Sequence, residues 1–513
     1  MDTSSVFAAN MPRQRAEKIL ILLAVCLAAL SMPVSFTGPA VALPAIQREL
    51  GGSPFALSWV TNAFMLSFGS SLLAAGGMAD RYGRKRVFML GIMVFLLSSL
   101  ALASVHSLLW FDILRAGQGL GAAAAFASGL AALAQEFEAQ QRTRVFSLIG
   151  TTFGVGLAFG PLLCGVLINL FGWRAVFVAS SLMGVLALVF AWLHMHESQD
   201  PQAATLDAAG ALSFTAALSA FTFALLLAPA RGWRDLLVLG LLLAAILLLL
   251  TFVGIEKRHP RPMLDLSLFR YPRFVGAQFL AAAPAYSFVV LLILLPARFI
   301  GIEDMGEIGT GWLMLALSCP MLCVPMMAAW LTRWFSVGGI CGSGLLIAAL
   351  GLFFLSTVPP GQVAAQFIFP LMLIGFGTAL PWGLMDGLAV SVVPKERAGM
   401  AAGIFSTTRV AGEGIALAIV SAVLASLIQQ ALPASPTVHV AELAQRLAAG
   451  DLASAQKFLP GATRLALSTA YGDAFRILLR LLASITLLTG LLTWILLGAR
   501  SDKKAGQIKG GPG

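Results

Sequence analysis

The chain has 513 residues, of which 59% are hydrophobic and only 11% charged, with a formal net charge of +10. Soluble domains carry about 25% charged and 45–50% apolar residues, so this composition excludes an ordinary soluble protein and indicates an integral membrane protein. The excess of bases would suggest a nucleic-acid partner in a soluble protein. Here the bases cluster between apolar segments, and no nucleic-acid partner is predicted.

Apolar segments long enough to cross a membrane recur along the whole chain. A helix needs about 20 residues to span a hydrocarbon core of about 30 Å, and lipid offers the backbone no other hydrogen-bonding solution. The sequence therefore predicts an all-α polytopic protein with fourteen transmembrane helices. In chain order they are 19–43, 57–79, 87–105, 108–133, 144–168, 174–194, 208–228, 235–254, 274–297, 310–331, 337–358, 366–392, 399–429 and 476–498.

The distribution of bases predicts the orientation. With a cytoplasmic N-terminus, 21 Lys and Arg residues lie on the cytoplasmic side, against five in the short outer connections. Those five are Arg48, Arg174, Arg231, Arg234 and Arg298. Long loops count little in this rule, so both termini are predicted to be cytoplasmic. Residues 1–18 are polar and basic, the apolar run after them is long, and no convincing A-x-A cleavage site follows it. The first helix is therefore predicted to be an uncleaved anchor.

A short echo indicates two halves. Residues 149–156 read IGTTFGVG and residues 405–412 read FSTTRVAG. This fits parallel six-helix repeats with a substrate site between them. The predicted units are a cytoplasmic segment 1–18, a first bundle 19–194, an inserted helix pair with its flanking loops 195–273, a second bundle 274–498 and a cytoplasmic tail 499–513. Within the second bundle, the outer loop 430–475 contains a stretch typical of an amphipathic helix.

A charged loop between the second and third predicted helices carries the first family resemblance. Its residues Gly76, Asp80, Arg81, Gly83, Arg84 and Lys85 resemble the helix 2–3 loop signature of the major facilitator superfamily. Gly83 permits a tight turn, and Asp80 can pair with an Arg or a helix N-terminus in one conformation and release it in another. The alternative is a purely structural role, in which these bases only anchor two helices at the membrane surface.

Two further segments resemble motifs of the same superfamily. Residues 114–122, with Arg115 and Gln118, resemble its second motif, in which the buried Arg is tied to proton transfer. Asp112, three residues earlier, would neutralise this Arg if the two formed only a structural pair. Gly156, Gly160, Pro161 and Gly165 are similar to the antiporter motif on the fifth helix. There a proline bends the helix and glycines allow close packing.

The helix count narrows the resemblance to the fourteen-helix drug:proton antiporters of the EmrB/QacA type, over essentially the whole chain. The segments WVTNAF at 59–64, MLDLSLF at 263–269 and PKERAGMAAG at 394–403 also look like this family. The resemblance implies the major facilitator fold, two six-helix bundles plus two inserted helices. It also implies export driven by inward proton flow across a bacterial inner membrane. Ser35 and Ala40 depart from the family pattern, because many relatives carry Asp and Asn there.

Proton coupling requires a group that binds a proton in one state, and burial favours the neutral form of a carboxyl group. Glu413 lies about 21 Å along its predicted helix at 1.5 Å per residue, and is the preferred proton-linked or cation-attracting carboxylate. Arg409, one turn earlier, leaves open a simple structural pair. Asp386 is either a second protonation site or a polar helix end facing water.

Several residues are predicted to line a soft apolar cavity suited to varied cargo. They are Phe64, Phe68, Gln118, Trp312 and Trp382. Lipid contact and core packing remain alternative explanations for such side chains.

The leading functional hypothesis is a proton-coupled exporter of drugs or similar amphipathic molecules. A dedicated exporter of one metabolite or siderophore-like compound is the first alternative, and a non-transporting sensor or scaffold is a remote one. The sequence contains no HExxH, Walker loop or G-x-S-x-G motif, so no enzyme is predicted, and neither a cofactor nor a metal site is expected. The expected partners are a small-molecule substrate, protons and the bilayer. A periplasmic adaptor at the outer loop is allowed, and the monomer is expected to be functional.

Overall fold

The computed structural model describes residues 3–137, 139–199, 207–258, 264, 266–393, 398–432, 440–458 and 463–498. Every regular element within these ranges is a helix. Twelve of the described helices are long and apolar enough to cross a membrane, or up to fourteen if each of two bent helices is one span. The predicted all-α architecture is therefore confirmed, and the predicted fourteen spans are the upper of these two counts.

The first half is a bundle of six helices. They are α1 (Thr3–Leu50), α2 (Pro54–Tyr82), α3 (Arg84–Ser104), α4 (Leu108–Glu136), α5 (Ala139–Phe171) and α6 (Arg174–His194). Helix α1 packs against α5 and α6, and α4 packs between α2 and α3. Helix α5 is bent by 42° between Leu148–Leu157 and Phe159–Phe171. The bend has an identifiable cause, because Pro161 cannot bond to the carbonyl of Leu157 and its ring clashes with that group.

Two helices, α7 (Ala208–Arg231) and α8 (Leu236–Arg258), follow the first half. Helix α7 packs against α8, α2 and α16 (Ala398–Ala431). Helix α8 is the least buried of the candidate spans, with 17% of its apolar window buried. Because its mean hydropathy is also the highest among them, 3.1, α8 is suited to direct contact with lipid. These are the two helices that the sequence predicts as an insertion.

The second half contains more breaks than the first. Its helices are α9 (Pro272–Pro284), α10 (Val290–Pro296), α11 (Glu307–Ser318), α12 (Pro320–Leu331), α13 (Val337–Ser356), α14 (Ala365–Trp382), α15 (Met385–Ser391), α16, α17 (Val440–Ala448), α18 (Leu452–Phe458) and α19 (Arg464–Leu497). Two π-helical segments interrupt this region, and each follows a proline. Ala285–Val289 follows Pro284 and joins α9 to α10, whereas Ala297–Ile302 follows Pro296 and extends α10. Together these segments form one continuous span. Proline removes a backbone donor, so the helix relaxes locally at both places.

The two halves meet along two helix pairs. Helix α5 packs against α11, and α2 packs against α16. One close contact places Gly69 of α2 on the backbone of Ala411 of α16. Helices α5 and α16 contain the two echoing segments, so each echo lies on the helix through which its own half contacts the other. This exchange of contacts is expected of two repeats related by a pseudo-twofold axis.

Helices α17 and α18 form a hairpin, termed here the outer hairpin, at the face predicted to be outside. Leu443, Ala444 and Leu447 of α17 are buried, and this apolar face packs against α16, α7 and α2. Asp451 accepts a hydrogen bond from Gln47 at the end of α1. The predicted amphipathic helix is therefore present, and its apolar face covers the end of the bundle.

Candidate transport site

A row of aromatic rings crosses the interior from the first half to the second. It is called the aromatic chain and consists of Phe64, Phe68, Phe126, Phe153 and Trp382. Successive ring centroids lie 5.8, 6.3, 6.3 and 6.4 Å apart, within the range of favourable ring contacts. A guanidinium group stands at each end, with Arg115 4.6 Å from the Phe64 centroid and Arg409 5.8 Å from that of Trp382. Both distances are within the range of cation–π contacts.

Three members of the aromatic chain, Phe64, Phe68 and Trp382, are among the predicted cavity residues. Each is at most 7% exposed, so they lie in the protein interior rather than at a lipid-facing surface. Phe126 and Phe153 were missed by the sequence analysis. Phe153 lies inside the echo IGTTFGVG, and its place in one of the two repeated segments was the available signal.

Trp312 requires a correction. It is 61% exposed, so its ring lies on the surface and not in an internal cavity. The buried face of α11 is instead formed by Thr310, Leu313, Met314 and Leu317, which follow the i, i+3, i+4, i+7 spacing of one helix face. Trp312 is on the other side of the same helix.

Arg115 on α4 is fully buried, and its guanidinium group donates to two acceptors. Its Nε donates to the carbonyl of Val60 over 2.8 Å, and its Nη1 donates to Gln118. Gln118 in turn donates through Nε2 to Ser99 over 2.7 Å. The predicted cavity residue Gln118 therefore uses its amide to support the guanidinium. Asp112 interacts with Arg115 electrostatically, but its buried Oδ1 accepts no hydrogen bond within the described residues.

Glu413 on α16 is 5% exposed, and Arg409 lies one turn before it. The two side chains interact electrostatically, and the guanidinium of Arg409 also lies against the rings of Trp382 and Phe405. The structure thus brings the predicted carboxylate, its neighbouring base and the aromatic chain together. The side chain of Asp386, the other predicted protonation site, lies outside the described residues, although its backbone belongs to α15.

The charged loop between α2 and α3 is tied to its own half. Asp80 Oδ1 accepts from Arg84 Nη2 over 2.8 Å, and Arg84 Nη1 donates to Gln135 on α4. Gly83 has φ +107°, a conformation that side chains other than glycine rarely adopt, and so it permits the turn. Gly76 faces open space, and the exposed Arg81 lies over the ring of the adjacent Tyr82.

Glu197, which follows α6, was missed by the sequence analysis. Its carboxylate accepts from the backbone N–H groups of Lys85 and Arg86 over 3.1 and 3.3 Å. It therefore caps the N-terminus of α3, where a negative charge is favourable. Lys85 Nζ donates to the carbonyl of Trp192 over 3.0 Å. No short-range pattern in the sequence links Glu197 to a loop more than a hundred residues earlier.

The glycines of the predicted antiporter motif lie at close helix contacts. A Cβ on Gly156 or Gly160 would stand 3.0 or 2.9 Å from atoms of α1. A Cβ on Gly165 would stand 2.6 Å from the carbonyl oxygen of Glu307 in the second half. Together with the bend near Pro161, these contacts seat α5 between α1 and α11. The antiporter role of the motif stays a prediction.

Similarity to known proteins agrees with this architecture. The chain is 31% identical over 395 residues to the "Multidrug resistance protein Stp" of Mycobacterium tuberculosis, covering 76% of this chain and 73% of the relative. It is 28% identical to the "Tetracenomycin C resistance and export protein" of Streptomyces glaucescens, and the alignment covers 80% of this chain and 77% of the relative. It is 32% identical to the "Cephamycin export protein CmcT" of Amycolatopsis lactamdurans, and the alignment covers 75% of this chain and 81% of the relative.

Solved transporter structures share the fold at low sequence identity. A bacterial homolog of the human lysosomal transporter Spinster, in an inward-facing and unoccupied conformation, superposes with a TM-score of 0.62 at 15% identity. The alignment covers 94% of this chain and 97% of that one. Residues 23–417 match the Major Facilitator Superfamily. The chain belongs to this superfamily and is a multi-pass membrane transport protein, not an enzyme.

Proposed function

We propose that this transporter exports drugs or other small amphipathic organic molecules by alternating access, and that inward proton flow drives the export. The observation that carries the proposal is the aromatic chain between the halves, which offers apolar and π contacts without dictating one ligand shape. The relatives named for drug resistance and export support the same cargo class. The proposed location is a bacterial cytoplasmic membrane with both termini inside, and the monomer is the proposed working unit.

In this proposal Glu413 exchanges the proton. A carboxylate in a nearly dry interior is costly, so a proton is favoured there whenever the neighbouring base does not compensate its charge. Binding or release of a proton changes the electrostatic surroundings of Arg409, whose guanidinium faces Trp382 at the end of the aromatic chain. Proton occupancy and cargo occupancy are thereby coupled through one side chain.

Arg115 would act at the opposite end of the aromatic chain. Its Nη2 is buried and has no hydrogen-bond partner within the described residues. The same guanidinium lies over Phe64, so cargo seated on this ring would come close to a fixed positive charge. The structural alternative, an Arg held only for packing, predicts that replacing it affects assembly and transport in parallel.

The decisive experiment measures two transport modes for Glu413→Gln in everted vesicles. We expect the variant to lose cargo accumulation driven by a pH gradient but to retain exchange of labelled for unlabelled cargo without a gradient, since exchange needs no proton release. The matched control is Glu256→Gln, because Glu256 is also buried, at 3% exposure, but lies at the end of α8. Full gradient-driven accumulation by Glu413→Gln would remove this residue from the coupling mechanism.

A dedicated exporter of one endogenous compound remains the second candidate, because some relatives are named for the export of a single antibiotic. A substrate panel in the same vesicles separates the two. If the protein is a drug exporter, the addition of many unrelated amphipathic compounds causes release of protons from acidified vesicles. If it is a dedicated exporter, only one chemical class causes this release. A periplasmic adaptor, if one is used, would meet the outer hairpin, and co-purification with and without that segment tests this partner.

A further inference from the structure

A crevice apart from the aromatic chain opens between the inserted helix α7 and the two halves. It has a volume of about 100 Å³ and is bounded by α1, α2, α7, α10, α16 and α17. None of the described residues that line it is ionisable, and none belongs to the aromatic chain. Its walls are mostly aliphatic, with Leu43, Leu226, Ile293 and Leu417 among them.

One polar group in this crevice lacks a partner. Asn62 of α2 is 3% exposed and donates through Nδ2 to the carbonyl of Ser58 over 2.9 Å. Its Oδ1 is buried and has no hydrogen-bond partner within the described residues. Asn62 also lines a second, narrower space between α2, α7 and α16. A buried acceptor without a donor is costly, so a bound donor would recover much of that cost.

The other hydroxyl groups of α2 in this crevice are already engaged. Ser58 donates to the carbonyl of Phe55 over 2.6 Å, and Thr61 donates to the carbonyl of Ser58 over 3.3 Å. Asn62 is therefore the residue of α2 in this crevice whose side chain keeps a buried acceptor without a partner among the described residues. Because none of the described side chains that line the crevice is charged, a charged visitor would be buried without compensation, and such burial is strongly unfavourable.

We infer that this crevice is a second binding site, which takes a small, uncharged, mostly apolar molecule or ring that donates one O–H or N–H hydrogen bond to Asn62 Oδ1. The volume of about 100 Å³ is below the 150 Å³ of an engineered apolar cavity that takes up benzene, so at most a single small ring enters the crevice. The site does not depend on proton coupling, because its lining within the described part of the chain contains no ionisable group. Phenols are the simplest compounds with this combination of ring and donor.

The test compares two near-isosteric probes, 4-fluorophenol and 4-fluorotoluene, by ¹⁹F NMR on the full-length protein in lipid nanodiscs, with empty discs subtracted. Only the phenol brings a donor. We expect the preference for the phenol to fall about tenfold in Asn62→Leu relative to the unmodified protein, while binding of the toluene is retained. Taking this ratio of ratios removes the unequal partition of the probes into lipid. An unchanged preference in Asn62→Leu would overturn the inference.

A second variant fills the space and leaves Asn62 intact. Ala425 is 5% exposed and lines the crevice, so Ala425→Trp should displace both probes. Unchanged binding of both probes in Ala425→Trp, in protein that remains monodisperse, would place the bound probes elsewhere and refute the site. This variant keeps the inference testable even where Asn62→Leu does not assemble, and neither measurement uses transport as its readout.

Discussion

Replacement of Glu303 should destabilise the second half far more than replacement of its neighbour Asp304. The Arg298 and Glu303 side chains are 2% and 1% exposed, and Arg298 Nε lies 3.0 Å from Glu303 Oε1. Arg298 also donates to the carbonyl of Val358 over 3.1 Å, and Glu303 Oε2 accepts from the backbone N–H of Gly361. The pair therefore joins the π-helical end of the ninth span to the connection that follows α13.

The expected magnitude follows from burial. Glu303→Gln leaves the guanidinium buried without its counter-charge, and breaking a buried pair in this way costs about 3–5 kcal/mol. Asp304 pairs with Arg464 over 3.1 Å, but their side chains are 77% and 54% exposed, and such a surface pair contributes about 1 kcal/mol or less. Asp304→Asn is a suitable control because Asp304 has φ +61°, which Asn also tolerates.

The assay is the temperature at which detergent-solubilised full-length protein loses half of its monodisperse chromatographic peak. Membrane proteins of this size unfold irreversibly, so the variants are ranked rather than assigned free energies. We expect Glu303→Gln to melt well below Asp304→Asn. The double replacement Arg298→Met with Glu303→Met should recover part of the loss, because apolar side chains of similar volume often replace a buried pair without cost. Equal melting of Glu303→Gln and Asp304→Asn would refute the reasoning.

Two further predictions concern contacts between distant segments. Gly301→Ala should loosen the outer hairpin, because the new Cβ would lie 1.8 Å from the carbonyl oxygen of Gly450. Gly309→Ala is the control, because its Cβ would meet no described atom within 4 Å. Limited proteolysis of the hairpin compares the two variants, and equal cleavage would contradict the prediction. Glu197→Gln removes the charge that caps α3 and should lower the stability of the protein by about 1 kcal/mol. Its melting temperature should therefore lie below that of the control Asp473→Asn, which breaks an exposed ion pair. Indistinguishable melting would argue against the cap.

The buried pair also shows where sequence reasoning stops. Arg298 was assigned to a short outer connection, because the apolar run ends just before it. In the structure the helix continues through a π-helical segment to Ile302, and Arg298 is buried. Residues five apart do not share a face of an α-helix, so Arg298 and Glu303 did not suggest a pair. The i→i+5 geometry of the π-helix changes this relation, and only the coordinates reveal it.

Other features could be predicted because they depend on local pattern or on composition. Spans follow from apolar length, the amphipathic α17 from its periodicity, and the inserted pair α7–α8 from the count of helices. Trp312 and Trp382 show the limit of this reasoning, since both are aromatic residues in apolar helices. One is 61% exposed and the other 7%, and the difference depends on which helix face meets the other half. Single-sequence hydropathy does not distinguish a lipid-facing side from a protein-facing one, because both are apolar.

Helix α2 links the two charged ends of the candidate site, which leads to a last prediction. Its Val60 carbonyl and Phe64 ring hold Arg115, and its Gly69 packs on α16 two residues before Glu413. A Cβ on Gly69 would stand 2.8 Å from the Cα of Ala411, so Gly69→Ala must move α2 away from α16.

We expect Gly69→Ala to lower both gradient-driven transport and gradient-free exchange, with an overpacking cost of about 1–3 kcal/mol in stability. Gly412→Ala is the matched control, because it adds the same methyl group to α16 where no atom lies within 4 Å, and Gly to Ala within a helix is favourable by about 1 kcal/mol. If displacement of α2 disturbs both ends of the site together, Gly69→Ala loses both transport modes whereas Glu413→Gln loses one. A Gly69→Ala variant that transports and melts like Gly412→Ala would show that contact between α2 and α16 does not limit the transport cycle.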